Sequence, residues 1–129
     1  MKPFFIAAGF AFVASTAVAE MTLGFQWGDI PRCTTGRPNT VANPEFVLGG
    51  VPQGTNRIVF KLKDLDVPNY NHGGGTLKVQ MSGSGRIPSG VFKYKSPCPP
   101  SGRHTYEWTA TAKKGNQTLA TAKAARQYP

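Results

Sequence analysis

Hydrophobic and polar residues alternate along several short segments of the chain, a pattern typical of half-buried β-strands. The clearest run begins at residue 57, where Ile58, Phe60 and Leu62 share one face, and Pro68 ends the strand. A second run spans 104–112 and alternates in the same way. Shorter strands are predicted at 20–28, 45–56, 76–81 and 91–95.

Turn-forming residues separate the predicted strands. Gly115 and Asn116 predict a hairpin turn after the second long run. The alanine-rich segment 118–129 is ambiguous between helix and strand, and its place after the hairpin favours a strand. The segments 29–44 and 82–90 are rich in Pro, Gly, Ser and Asn and are predicted to be loops. About seven short strands without an amphipathic helix predict an all-β sandwich or barrel.

The first 19 residues have the features of a secretory signal peptide. Lys2 supplies a positive charge, an apolar run follows from Phe4 to Val13, and small residues precede Glu20. The apolar run is short for a membrane anchor, which is the alternative interpretation. We therefore expect cleavage after Ala19, a single domain over residues 20–129, and a periplasmic or secreted location.

The chain is strongly basic, with 15 Lys and Arg residues against 6 Asp and Glu residues. A basic solvated surface that aids solubility is the simplest interpretation. Affinity for anions, for an acidic protein or for a membrane surface is the sharper one. The basic residues are scattered singly and no nucleic-acid-binding motif is present, so nucleic acid is not an expected partner.

The chain has two cysteines, Cys33 and Cys98. In an oxidising compartment an even pair predicts a disulfide. A metal site and a catalytic thiol are the alternatives. No ligand spacing supports zinc, and the closest basic partner for a thiolate would be His104.

Two histidines and two aspartates are the candidate chemical groups. His72 precedes three glycines, His104 opens a predicted strand, and Asp64 and Asp66 lie at the end of another. If these segments end on one rim, the histidines could donate to an oxyanion while an aspartate fixes a ring tautomer. The competing interpretation is solvated strand ends and a flexible glycine turn, which spacing alone favours slightly.

The sequence gives little support for an enzyme. It contains neither the G-x-S-x-G nor the H-E-x-x-H motif, and Ser101 lies too close along the chain to His104 to make a triad with it alone. Metal binding by the histidines and aspartates is conceivable, yet no spacing establishes it. We therefore expect no cofactor, no metal and no catalytic residue.

Two ordered segments resemble the phosphatidylethanolamine-binding protein family, in particular its bacterial, Raf kinase inhibitor-like branch. They read VPQGTNRIVFKLKDLDVPNYNHGGG and IPSGVFKYKSPCPPSGRHTYEWTATA. DLDVP is similar to the family's D-P-D-x-P motif, with Leu65 in place of the first proline. SPCPPSGRHTY is similar to the proline loop and following strand, with Ser96 where glycine is usual and Thr105 where arginine is common.

The resemblance implies an all-β, Greek-key β-sandwich built on a large antiparallel sheet, with little or no helix. It also implies a pocket at one end of the sandwich for phosphate or a phosphoethanolamine-like anion. The ligand-binding residues carried over by the motifs are Asp64, His72, Pro99, Pro100, His104 and Tyr106. Residues expected to support them are Asp66, Tyr70 and Gly73. A disulfide between Cys33 and Cys98 would then fasten the pocket rim.

The leading hypothesis from the sequence is a periplasmic or secreted binding protein for a small anion such as phosphate or a phospholipid headgroup. The alternative is a protein-interaction module or enzyme inhibitor that acts through its basic surface. The third and weakest hypothesis is that the protein is a hydrolase. The oligomeric state and the natural ligand are not predicted.

Overall fold

The structure is a computed structural model that describes residues 20–129; the predicted signal peptide at 1–19 lies outside the described residues. Nine strands follow one another without an intervening helix in this part of the chain. They are β1 (Thr22–Phe25), β2 (Thr40–Ala42), β3 (Phe46–Val51), β4 (Arg57–Asp64), β5 (Gly74–Lys78), β6 (Gly83–Ile87), β7 (Lys93–Lys95), β8 (His104–Lys114) and β9 (Gln117–Tyr128). Across residues 20–129 no helix has the length and apolarity needed to cross a membrane.

All strand pairs are antiparallel, and they form three sheets. The largest sheet has the order β5-β4-β8-β9, a second has the order β1-β3-β6, and β2 pairs with β7. The hairpin of β8 and β9 turns through Gly115. Its φ is 58°, a left-handed conformation that glycine adopts at little steric cost. This architecture confirms the predicted all-β sandwich, and the ambiguous segment 118–129 is the long strand β9.

The pairing of β4 with β8 aligns the two strongest alternating segments of the sequence. Eight consecutive residue pairs run from Arg57 opposite Lys113 to Asp64 opposite Tyr106. Because side chains alternate between faces, every second residue of both strands points into the sandwich. The inward set is buried throughout and consists of Ile58, Phe60, Leu62, Asp64, Tyr106, Trp108, Ala110 and Ala112.

Aromatic rings join the two main sheets. Phe46 of β3 stacks on Phe60 of β4 with ring centroids 4.4 Å apart, and it meets Trp108 edge-on at 5.1 Å. All three side chains are fully buried. Such pairs contribute about 0.5–1.5 kcal/mol each beyond the area that they bury. They fix the spacing of the sheets and so the position of the strand ends that carry the site.

Two strands lie where loops were predicted. β6 occupies the segment expected to be a turn-rich connection, and β2 lies within the expected loop 29–44. β6 lacks the alternating pattern because the side chain of Met81 covers Gly85, where an added Cβ would lie 2.7 Å from the sulfur. β2 has only three residues and depends on its pairing with β7. The strand predicted at 20–28 is correct in type but shorter, since β1 ends at Phe25.

A glycine of β5 provides a test of the close packing between β5 and β4. A Cβ on Gly74 would lie 1.8 Å from the carbonyl oxygen of Phe60, so Gly74→Ala must displace one strand. We expect it to lower the free energy of unfolding by about 3 kcal/mol, measured by urea denaturation.

Gly24→Ala in β1 is the matched control, because the added Cβ meets nothing closer than 3.9 Å. We expect this change to alter stability by less than about 1 kcal/mol. Equal effects of the two substitutions would contradict the packing argument.

Candidate functional site

A small cavity lies at the end of the sandwich where β4 stops and β8 begins. Its volume is about 200 Å³, below the roughly 300–1,000 Å³ usual for pockets that take drug-sized ligands. All six residues predicted to bind ligand line it. The complete lining is Gly36, Pro38, Asp64, Val67, Tyr70, His72, Cys98, Pro99, Pro100, His104 and Tyr106.

Asp64 organises the floor of the cavity. It is the last residue of β4, and its side chain is buried. Its Oδ1 atom accepts hydrogen bonds from the backbone N–H groups of Asp66 and Val67, at 2.9 Å and 3.2 Å. Its Oδ2 atom lies 2.7 Å from Nδ1 of His104. One carboxylate therefore closes the turn after β4 and orients a ring on β8.

Asp64 engages one of the two ring nitrogens of His104. Its Oδ2 atom and Nδ1 of His104 share the hydrogen of the 2.7 Å bond. The Nε2 atom is left for a ligand. The aspartate beside the His104 ring is therefore Asp64 and not Asp66.

His72 is fixed by a different partner. Its Nδ1 lies 2.8 Å from the carbonyl oxygen of Lys95, which can only accept a hydrogen bond. The backbone N–H of Lys95 donates in turn to the carbonyl of His72 at 2.8 Å. This double link sets the ring edge-on to Tyr106, with centroids 5.4 Å apart. His72 therefore also keeps Nε2 for a ligand.

Burial alters the proton affinity of two groups in the cavity. Desolvation lowers the pKa of His72 below its ordinary value of 6.5, although the Lys95 carbonyl and the Asp64 carboxylate oppose this shift. Burial, and then the negative charge of Asp64, raises the pKa of the Tyr106 phenol. At neutral pH the cavity thus contains a neutral His72 and a protonated tyrosine.

The segment 28–39 forms the outer wall of the cavity, and we call it the strap. Cys33 of the strap is joined to Cys98 of the proline loop by a disulfide, with Cα atoms 4.6 Å apart. The strap is also held by hydrogen bonds: the Cys33 N–H donates to the Tyr128 hydroxyl, and the Asn39 N–H donates to Oγ of Ser96. The disulfide indicates a non-cytoplasmic environment, because such bonds persist under oxidising conditions.

The strap supplies the cavity residues that sequence reasoning missed. Gly36 and Pro38 line the cavity, and an added Cβ on Gly36 would touch Pro100 at 3.4 Å. Val67, in the turn after β4, was also missed. The cysteine pair was the available signal for the strap residues, because a bond to Cys98 brings the neighbours of Cys33 to the proline loop.

The three residues predicted to support the site differ in their positions. Tyr70 lines the cavity itself and packs edge-on against His72 at 4.6 Å. Asp66 is exposed and accepts a hydrogen bond from the Thr105 N–H at 2.8 Å, which ties the turn to β8. Gly73 lies outside the cavity lining and donates to the Asn71 side chain.

Asp64, Asp66 and His104 also bring three metal-ligating atoms within 4.8 Å of one another. Each of these side chains already makes a hydrogen bond within the chain. A metal would have to displace the proton on Nδ1 of His104 or the amide of Thr105. The cluster therefore fits a hydrogen-bonded network better than a cation site.

A larger open groove of about 790 Å³ lies along β1 and the segment 42–47. Its arginines are engaged within the chain: Arg86 pairs with Glu45 at 2.6 Å, and Arg126 donates to the carbonyl of Phe25. The small cavity gathers both histidines of the chain with a buried carboxylate. We therefore take the small cavity as the candidate site.

Comparison with solved structures supports the fold. A crystal structure from Chlamydia trachomatis D/UW-3/CX, described as a proposed homologue of a phosphatidylethanolamine-binding protein, matches with a TM-score of 0.61. The match covers 85% of this chain and 97% of that one at 18% sequence identity. No protein-family model and no curated protein sequence matches the chain. The chain therefore has a phosphatidylethanolamine-binding protein-like fold, as the sequence motifs predicted.

The lowered pKa of His72 predicts how stability depends on pH. The unfolded chain binds a proton at His72 more readily than the folded chain, so this residue costs stability as pH falls below about 6.5. His72→Asn keeps a donor for the Lys95 carbonyl and removes the titration. We expect the stability of the variant relative to wild type to improve from about pH 8 to about pH 5, by at most about 1.4 kcal/mol per pH unit.

Urea denaturation across this pH range measures the difference in the free energy of unfolding between His72→Asn and wild type. The Asp64–His104 pair is common to both proteins, so its contribution cancels in the difference. A difference that does not change with pH would contradict a lowered pKa at His72.

The disulfide predicts a second stability effect. The bond spans 65 residues, for which the chain-entropy description gives about 4 kcal/mol. We expect Cys33→Ala/Cys98→Ala to lose about this amount in urea denaturation and to loosen the strap, seen as faster amide exchange at Gly36 and Cys33. Unchanged exchange in a folded variant would mean that hydrogen bonds alone hold the strap.

Proposed function

We propose that the protein binds a small anion, phosphate or a phosphoethanolamine-like headgroup, in the cavity between the strap and the end of β4. The observation that carries the proposal is the fixed orientation of two histidines whose Nδ1 atoms are both engaged and whose Nε2 atoms are both left for a ligand. The prolines of the 96–100 loop give the cavity a rigid wall, because their φ angles are fixed before binding.

The same hydrogen bonds make anion binding dependent on protons. A neutral imidazole whose Nδ1 donates offers only a lone pair at Nε2, which repels an oxyanion. Protonation converts Nε2 into a donor, and Asp64 balances the charge on His104. A monoprotonated phosphate can alternatively donate its own O–H to a neutral ring. Both routes predict that affinity rises as pH falls.

The charged surroundings modify this coupling. Asp66 is exposed beside the turn after β4, and Lys95 places its ammonium group 5.7 Å from the Tyr70 ring. Lys95 ends β7, and its backbone is hydrogen-bonded to His72, so we assign its ammonium group to a second anionic oxygen. Burial of His72 opposes its protonation, so the neutral ring is suited to accept the O–H of a monoprotonated phosphate.

We assign binding rather than catalysis to this site. An Asp–His pair can act as a general base, but covalent catalysis also needs a nucleophile within reach. The cavity lining contains no serine, threonine or lysine, and its cysteine is held in the disulfide. The Asp64 carboxylate and both histidine Nδ1 atoms are already hydrogen-bonded within the chain. The predicted signal peptide and the disulfide are consistent with a periplasmic or secreted location, which is part of the proposal.

The test is a titration of the protein with phosphate and with phosphoethanolamine, followed by ¹H–¹⁵N NMR at about pH 6 and about pH 7.5. We expect shifts at His72, His104 and the turn 64–67, with tighter binding at the lower pH. His104→Ala should weaken binding by about tenfold or more, since it removes a charge-assisted hydrogen bond.

The matched controls are two Asp→Asn substitutions. Asp64→Asn should weaken binding because the charge that supports a protonated His104 is lost, whereas Asp29→Asn, outside the cavity, should not. Stronger binding of phosphoethanolamine than of phosphate would identify the ammonium group as a recognised element. Absence of shifts at millimolar ligand would refute the anion pocket.

A further inference from the structure

The outer face of the β5-β4-β8-β9 sheet is strongly cationic. The register places alternate residues of all four strands on this face, opposite the core. Six of the fourteen basic residues in 20–129 lie on it, against one of the six acidic residues, Glu107. The basic residues, which we call the cationic face, are Arg57, Lys61, Lys63, Lys78, Lys113 and Lys123. Arg57 is half-buried and donates to the Gly115 carbonyl, so the exposed lysines carry most of the available charge.

The cationic face extends in two dimensions. Each of the four strands contributes at least one basic residue, so the charges are spread over about 14 Å across the strands. Arg57 and Lys63 lie at the two ends of β4, about 20 Å apart along the strand. Glu107 neutralises little of this charge, since its distance to Lys123 is 3.8 Å and that lysine is exposed. A planar array of anions matches this distribution better than a single linear chain does.

An apolar loop adjoins the cationic face. Residues 65–71, the rim loop, follow β4 directly after Lys63 and Asp64. Of the five exposed large hydrophobic side chains in residues 20–129, three belong to this loop: Leu65, Val67 and Tyr70, with 43%, 44% and 37% of their surface accessible. Such grouping within six residues differs from the scattered apolar residues of an ordinary surface.

The rim loop and the cationic face meet along one groove. The groove is lined by Pro68 and Tyr70 of the rim loop and by Lys61, Lys63 and Lys123 of the cationic face. Tyr70 and Val67 also line the anion cavity. Exposed apolar side chains beside lysines are what binding to an anionic bilayer requires, because apolar insertion and charge attraction add together.

We propose that the cationic face and the rim loop dock on an anionic lipid bilayer. Lysines of β4 and β9 lie against acidic headgroups, and Leu65 enters the interfacial region. This inference goes beyond the anion cavity, because it requires no ligand at His72 or His104. Docking would also bring the mouth of the cavity, at Val67 and Tyr70, to the plane of the headgroups.

The test is co-sedimentation of the purified protein with vesicles of phosphatidylcholine alone and with vesicles containing about 30% phosphatidylglycerol. We expect binding to the anionic vesicles that weakens as salt is raised. Lys61→Gln/Lys63→Gln should weaken it by about 25-fold, taking about fivefold for each lysine at an anionic surface. Arg32→Gln/Lys93→Gln removes the same charge from other exposed positions and should change it less than about threefold.

Two further variants separate the possible outcomes. Leu65→Ser should weaken vesicle binding several-fold without changing binding to soluble polyglutamate. His72→Ala should leave vesicle binding unchanged, so loss of the anion cavity and loss of docking are distinguished. If Arg32→Gln/Lys93→Gln weakened vesicle binding as much as Lys61→Gln/Lys63→Gln, the attraction would depend on the net charge of the protein and not on the cationic face. That result would overturn the proposal. The proposal would also be overturned if Leu65→Ser left vesicle binding unchanged and the protein bound polyglutamate tightly through Lys61 and Lys63. The partner would then be an acidic protein.

Discussion

The antiparallel pairing of β4 with β8 is the constraint on which the rest of the molecule depends. It aligns two alternating segments so that one face forms the core and the other forms a cationic surface. The pairing ends with Asp64 opposite Tyr106; beyond it β4 gives way to the turn at 65–67, while β8 stays paired with β9 as far as His104. The carboxylate of Asp64 is therefore buried at a point where the backbone must turn. It satisfies the amides of that turn and also meets the ring of His104, two residues before Tyr106.

The cavity combines elements of different rigidity. Its floor is the end of a sheet, held by the ladder of backbone hydrogen bonds. One wall is the proline loop, in which fixed φ angles replace hydrogen bonding. The outer wall is the strap, which has no strand of its own between residues 28 and 39 and is joined to the proline loop by the disulfide. The stiff loop before β8 thus serves two purposes, since it shapes the cavity and provides the attachment for the strap.

Sequence reasoning located the strands whose burial alternates and the side chains that end them. Ile58, Phe60 and Trp108 lie in the core as the two-residue period predicts. Asp64, His72 and His104, which the motif resemblance grouped, line one cavity. Sequence reasoning missed β6, because a glycine stands at position 85, where the side chain of Met81 packs against the strand. The strand therefore lacks a hydrophobic residue at a position that would have shown the alternating pattern. Sequence reasoning also missed Gly36, Pro38 and Val67, since a residue in an irregular segment is placed by tertiary contacts and not by any local period. The motif resemblance had already chosen Asp64 over Asp66, and the register gives the physical reason, because it places the Asp64 carboxylate on the inward face.

The attachment of the strap has a consequence for how this fold can diversify. The strap contributes side chains to the cavity but none of the hydrogen-bonded pairing of the two main sheets. Its composition can therefore change with little effect on the folding of the sandwich, provided that the cysteine and the contact with the proline loop are kept. Selectivity for the proposed anion and integrity of the scaffold are in this sense separate traits, encoded in different parts of the chain. A family of proteins could exchange ligands by altering the five residues that follow Cys33, which include Gly36 and Pro38, while the Asp64–His104 pair stays the same.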